Sequence, residues 1–150
     1  MGDDPYDVEA DMIEFDAMEY DVPPDVPNPF IAFGESVSRR ASPGGAPQFS
    51  ILIVIAIASL ALEIFRYCKE KHVQRAIEHA YHHPGSLVVR RLAHKLDRAL
   101  PKDGPHPSAV AHAMILEGYE ALHTPARWEQ LKASARAPSS PATVRDRNSP

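Results

Sequence analysis

Eight histidines, one cysteine and five tyrosines are the side chains of this 150-residue chain best equipped for chemistry. His79, His82 and His83 share a helical face at i, i+3 and i+4 beside Glu78, a spacing that suggests a metal site. No Cys or further carboxylate stands at ligand spacing, however, and histidines near a helix C-terminus are favoured by the dipole alone, so no metal is assigned. Cys68 lies among bases just after an apolar run, the setting in which reversible S-acylation occurs, and a single Cys excludes an internal disulfide. Tyr119 to Leu122 has the form of a tyrosine-based sorting signal and Asn28-Pro29-Phe30 that of an adaptor motif, both short patterns frequent by chance. The opening Met-Gly is followed by Asp3 and Asp4, with Tyr6 where a myristoylation site wants Ser or Thr. The chain has no phosphate-binding glycine loop, no nucleophile with a spaced base and no paired carboxylates in a foldable pocket. Catalysis is not indicated, and no cofactor is expected.

The element that organises the rest is residues 49–65, FSILIVIAIASLALEIF. Eleven of these seventeen are Phe, Ile, Leu or Val: Phe49, Ile51, Leu52, Ile53, Val54, Ile55, Ile57, Leu60, Leu62, Ile64 and Phe65. As a helix the run is about 25 Å long, at the short limit for a bilayer. Its apolar groups favour insertion by roughly 3 to 6 kcal/mol, opposed by Glu63, which sits near one end and can pair with Arg66. A buried helix would need apolar partners on every side, and the remaining sequence offers only two or three short amphipathic helices. The run is therefore expected to be a transmembrane helix, in a mainly α chain with one span.

Charge divides around it. Residues 1–38 hold eleven carboxylates and no Lys or Arg, whereas residues 66–150 hold fourteen bases against eight acids. Arg66, Lys69, Lys71 and Arg75 follow the run closely, so the positive-inside rule puts the C-terminus in the cytosol and the N-terminus outside or in a lumen, between endoplasmic reticulum and plasma membrane. Residues 1–48 read as an acidic, Pro-rich and mostly disordered arm. When its carboxylates are neutralised, Ile13, Phe15, Met18 and Phe30 offer apolar footholds for a membrane. SPGGAP, residues 42–47, is a breaker-rich hinge.

Beyond the span, residues 66–83 read as a basic juxtamembrane helix ending at His83-Pro84-Gly85. Residues 84–137 form an amphipathic helical region, and 138–150 a disordered tail. At ~100° per residue, Val88, Val89, Leu92, Leu96 and Leu100 fall on one arc and Arg90, Arg91, Lys95 and Arg98 on the other, with Ser86 as N-cap and Pro101 as stop. Such a helix suits the headgroup layer of an anionic leaflet. The same face suits packing on Val110, Met114, Ile115, Leu122, Trp128 and Leu131 of two later helices, capped by Ser108 and by Thr124-Pro125. The pattern leaves both open.

A short arm, one central span, the cluster Arg66, Lys69, Lys71 and Arg75 with Cys68, an amphipathic helix and a Pro-rich tail, APSSPATVRDRNSP, together resemble the fusion-associated small transmembrane proteins of reoviruses in architecture. The resemblance implies a small viral single-pass protein that merges the membranes of neighbouring cells into syncytia. Two other readings use the same parts: a non-fusogenic scaffold for viral movement, assembly or trafficking that recruits partners through its basic tail, and a viroporin-like oligomer. The partners expected are a bilayer with an anionic cytosolic leaflet, further copies of the chain, and host trafficking or adaptor proteins. Nucleic acid is not indicated.

Overall fold

Ser50 sets the start of the apolar helix: its backbone is extended and its hydroxyl accepts a hydrogen bond from the Ile53 N–H at 3.3 Å, satisfying a donor that a helix start otherwise leaves orphaned. In the computed structural model, which describes residues 26–42 and 50–137, this helix is one of six, and no strand occurs among the described residues. In chain order they are α1 (Asn28–Ala41), α2 (Ile51–Tyr67), α3 (Glu70–His82), α4 (Leu87–Ala99), α5 (Pro107–Leu122) and α6 (Pro125–Arg136). Proline in the first turn of α1, α5 and α6 presets the backbone where its missing N–H costs nothing. Arg39 and Arg40 complement the dipole at the end of α1.

α1 and α2 form an antiparallel hairpin. The Phe30 and Phe65 rings meet edge-on at 5.4 Å, while Gly34 faces Val54 and Ala58, so the helices run past each other in opposite senses. The absence of a side chain at Gly34 lets the backbones approach closely. The spacing i, i+3, i+7 puts Phe30, Phe33 and Val37 on one face of α1, and all three are buried. α4 pairs with α5, α3 lies against α5 through Ile77 and Gly118, and α6 closes over α1, α2 and α5. One apolar core runs through all six helices.

The structure differs from the expected architecture in four places. The first is the span. α2 is seventeen residues long, and among the described residues no helix is long and apolar enough to cross a membrane. It is instead the core helix: every residue from Ile57 to Glu63 is buried, as is Val54, while Ile53, Ile55, Ile64 and Phe65 are partly covered. Its two ends are open, with Ile51 and Leu52 at 57% and 73% exposure and Tyr67 at 66%. The second difference explains the first. Asn28 to Ala41, assigned by sequence to a disordered arm, is the helix that covers α2, and Phe30, expected as a membrane foothold and adaptor residue, is fully buried.

The third difference is the amphipathic helix. Of the two settings its pattern left open, the packed one is found, with Val88, Val89, Leu92, Leu96 and Leu100 all buried and α5 as the neighbour; the departure is Lys95, expected on the lipid-facing arc and buried. The fourth is continuity. The helix expected through residue 83 breaks at Cys68 and Lys69, both extended, although no Pro or Gly marks the site. Arg66 donates from Nε to the Ala135 carbonyl at 3.1 Å. Helix ends fare better: α3 stops before His83-Pro84-Gly85, Ser86 occupies the N-cap position of α4 and Thr124 that of α6. At α5 the cap is His106, whose Nδ1 accepts from the Ser108 N–H, and not Ser108 itself. Phe49, Ile13, Phe15, Met18, most of the hinge and the Pro-rich tail lie outside the described residues.

A buried carboxylate fastens three of the helices. Arg40 of α1 donates from Nε to Glu117 Oε1 at 2.7 Å, and Arg127 of α6 donates from Nη2 to Glu117 Oε2 at 2.5 Å. Arg40 also reaches Glu120 at 2.5 Å. Burial pushes the Glu117 carboxyl up, but the hydrogen bonds from Arg40 and Arg127 outweigh it and hold the group below its ordinary value of 4.5. Arg40 is correspondingly raised by its bonds to Glu117 and Glu120.

Two outcomes follow. Gly34→Ala places a Cβ 2.7 Å from the Val54 carbonyl oxygen, so despite a helix-propensity gain of about 1 kcal/mol it lowers the melting temperature, read by circular dichroism. Glu117→Gln costs about 2 kcal/mol in urea unfolding at neutral pH, less than a fully buried pair because both arginines are 30% exposed. Because the folded-state value is depressed, the contribution of Glu117 is whole above 4.5 and fades as pH falls through the folded value. Stability of the native chain therefore declines below pH 4.5, and the variant shows a shallower decline over that window.

Candidate functional site

The break between α2 and α3 is where the charged groups gather. With Cys68 and Lys69 extended, the last turn of one apolar helix meets the first turn of the next, and α6 lies across the joint. Trp128 is the anchor: its ring packs 5.0 Å from Phe65 and its indole N–H donates to Glu70 Oε2 at 2.9 Å. Lys132, one turn on, reaches the same carboxylate at 3.0 Å and Glu129 at 3.1 Å. Glu70 also accepts from Gln74. The Trp128 hydrogen bond, and then that of Lys132, hold Glu70 below the usual carboxylate range, while Glu70 and Glu129 raise Lys132.

These contacts frame an open cleft of about 330 Å³. Its charged lining is Arg66, Lys69, Lys132 and Arg136 against Glu70 alone, four cations to one anion. Glu70 is engaged by Lys132 and Trp128, and the nearby Arg136 charge also favours its ionised form. Tyr67 stands at the edge, 66% exposed. The arrangement has the properties of an anion receptor: convergent positive charge, a fixed indole wall and one carboxylate already neutralised.

Next to the cleft is a second, partly open pocket of about 70 Å³ with an almost wholly apolar lining. α1 contributes Phe33, α2 Ile64, α3 Ala76, α4 Leu92 and α5 Met114, with His72 at the side. Phe65, Cys68 and Val73 line both cavities, so the cationic and apolar spaces adjoin at that seam.

Of the basic residues singled out by sequence, Arg66 and Lys69 meet in the cleft. Lys71 and Arg75 are exposed elsewhere on α3, Arg90 and Arg98 are exposed on α4, Arg91 is half-buried and Lys95 buried. Cys68 is half-buried and lines both cavities. Val88 and Leu92 of the apolar arc also line the apolar cavity. Tyr119 is built into α5, where its ring stacks on Tyr81 at 3.7 Å, and His79 and His83 lie 4.6 Å apart at the end of α3. Among the described residues no three His, Cys, Asp or Glu are grouped to hold a metal. Sequence reasoning missed Trp128, Lys132 and Arg136, although their i, i+4, i+8 spacing puts an aromatic and two cations on one helical face.

Compared with family models, curated proteins and solved structures, the chain matches none.

Replacing Trp128 with Phe keeps the ring against Phe65 and deletes the donor to Glu70. The expected result is a loss of about 1 kcal/mol in chemical denaturation and a Glu70 carboxyl that titrates closer to its ordinary value, followed by NMR.

Proposed function

We propose that this chain is a helical scaffold that docks on anionic membrane surfaces through the cleft at the α2–α3 joint. The observation that carries the reading is the charge of an indole-walled concavity, in which Arg66, Lys69, Lys132 and Arg136 face Glu70 as the one carboxylate of the lining. Each base near an anionic lipid surface contributes about 1 kcal/mol, and an exposed Tyr67 beside them suits the headgroup layer. This is the scaffold reading of the sequence with the lipid contact moved. The cations come from the ends of α2, α3 and α6, and the membrane is a surface rather than a layer that is crossed. Membrane fusion and pore formation draw on α2 as a lipid-embedded segment, and each would require it to leave a core in which seven successive residues are buried. Membrane location and the side of the membrane follow from this proposal, not from a span.

Vesicle co-sedimentation checks it. The chain is expected to pellet with phosphatidylserine-containing vesicles, not with pure phosphatidylcholine, and to be released by salt. Reversing two cleft charges, Arg66→Glu with Arg136→Glu, lowers affinity by at least roughly 30-fold. The same change at Arg90 and Arg98 on α4 has a much smaller effect. A folded chain that ignores anionic vesicles, or one that prefers RNA to them at equal salt, overturns the proposal.

A further inference from the structure

The two adjoining cavities have the outline of a single molecule with a charged head and an apolar tail. We infer that the chain binds one single-chain anionic amphiphile, its head among Arg66, Lys69 and Arg136 and its tail crossing the Phe65, Cys68 and Val73 seam into the apolar cavity. The inference deepens the lipid-surface reading of the cleft, because it gives the same cations an individual ligand.

Three observations carry it. The apolar pocket, partly open to its surroundings, is lined almost wholly by apolar side chains from five helices, a surface that accepts hydrocarbon better than water. Its neighbour is cationic, and charge complementarity selects an anionic head, a phosphate or a carboxylate. Both cavities share the three seam residues Phe65, Cys68 and Val73, which places the cationic and apolar linings side by side. Size sets the tail. At about 70 Å³ the cavity is roughly half the volume that admits benzene in an engineered protein core, so it takes one short chain or the end of a longer one, and not the paired chains of a phospholipid.

The chain carries two reporters of this site in its one tryptophan, Trp128 in the cleft wall, and its one cysteine, Cys68 at the seam. The experiment titrates the full chain with monoalkyl phosphates and fatty acids of increasing length, each below its micelle concentration and without vesicles. Trp128 emission and the rate of Cys68 labelling by a maleimide are followed together. The expected result is saturable binding that tightens about fourfold per added methylene while the tail fills the cavity and then levels off. At roughly ten times Kd, mass action leaves about one chain in eleven unliganded, so labelling slows about tenfold. The two series show whether phosphate or carboxylate is the preferred head.

Ala76→Phe, which fills the apolar cavity, abolishes the chain-length dependence, and Arg136→Ala weakens every length alike. The thiol-protection measurement needs neither variant and stands even where one fails to fold. Glycerol phosphate, a head without a tail, protecting Cys68 as well as the alkyl phosphates do would overturn the inference, as would binding with no length dependence. Capture by anionic vesicles without binding of monomeric amphiphile overturns this inference alone. Monomer binding without vesicle capture supports the inference and removes the surface-docking proposal instead.

Discussion

A helix with no polar face must be enclosed on every side, and in this chain that requirement shapes nearly everything else. Over almost two turns, from Ile57 to Glu63, every residue of α2 is buried. Burying each large apolar side chain favours the fold by about 1.5 to 3 kcal/mol, so the drive to cover this segment exceeds any other in the molecule. α1 meets it first, with Phe30, Phe33 and Val37 on one stripe and Gly34 placed where the helices approach most closely. The remaining helices then cover what the hairpin leaves open, turning their own apolar stripes inward. The strongly amphipathic α4 is satisfied by α5 and the neighbouring core, which removes its need for a lipid surface.

Enclosure alone would tolerate many arrangements, since apolar contacts are non-directional. Direction comes from a few charges carried at the helix edges. Glu117 accepts from Arg40 and Arg127 at once, so α1, α5 and α6 meet at one carboxylate in one register. Glu70 does the same between α3 and α6 through Trp128 and Lys132. Such groups add little net stability for the desolvation they suffer; their effect is that alternative packings would strand a buried charge.

Much of this was legible in the sequence, and what was not has a common cause. The apolar helix, the breaks at His83-Pro84-Gly85 and Pro101, and the two helices around Val110 and Trp128 all follow from periodicity and punctuation. Whether the apolar helix lies in lipid or in protein does not, because an aliphatic side chain leaving water gains nearly the same free energy in either place. The decision rests on whether the chain holds enough matching apolar surface elsewhere. Here that surface was hidden in Asn28 to Ala41, whose flanking prolines and acidic neighbours suggested an unstructured arm, although Phe30, Phe33 and Val37 have helical spacing. The interruption at Cys68 was hidden for a different reason: it carries no breaker, and its conformation depends on α6 packing across it. The cleft was half legible for the same reason, since Arg66 and Lys69 are adjacent in sequence to the apolar run while Trp128, Lys132 and Arg136 arrive from sixty residues away.

The position of that cleft is a consequence of the sequence boundary between Phe65 and Arg66. Up to Phe65 the apolar run seeks an apolar medium, and the ten residues from Arg66 to Arg75 carry four bases. In a spanning protein such a boundary would coincide with the edge of the hydrocarbon layer. In the bundle it coincides with the edge of the core, because a guanidinium cannot follow the helix inward without losing its hydration. α2 therefore ends within two residues of the boundary, and Arg66 turns to the Ala135 carbonyl and to solvent. The apolar cavity and the cationic cleft lie on either side of this point, sharing Phe65 and Cys68. The polarity step that a bilayer presents to a membrane segment is thus reproduced inside the fold, at the scale of one small amphiphile.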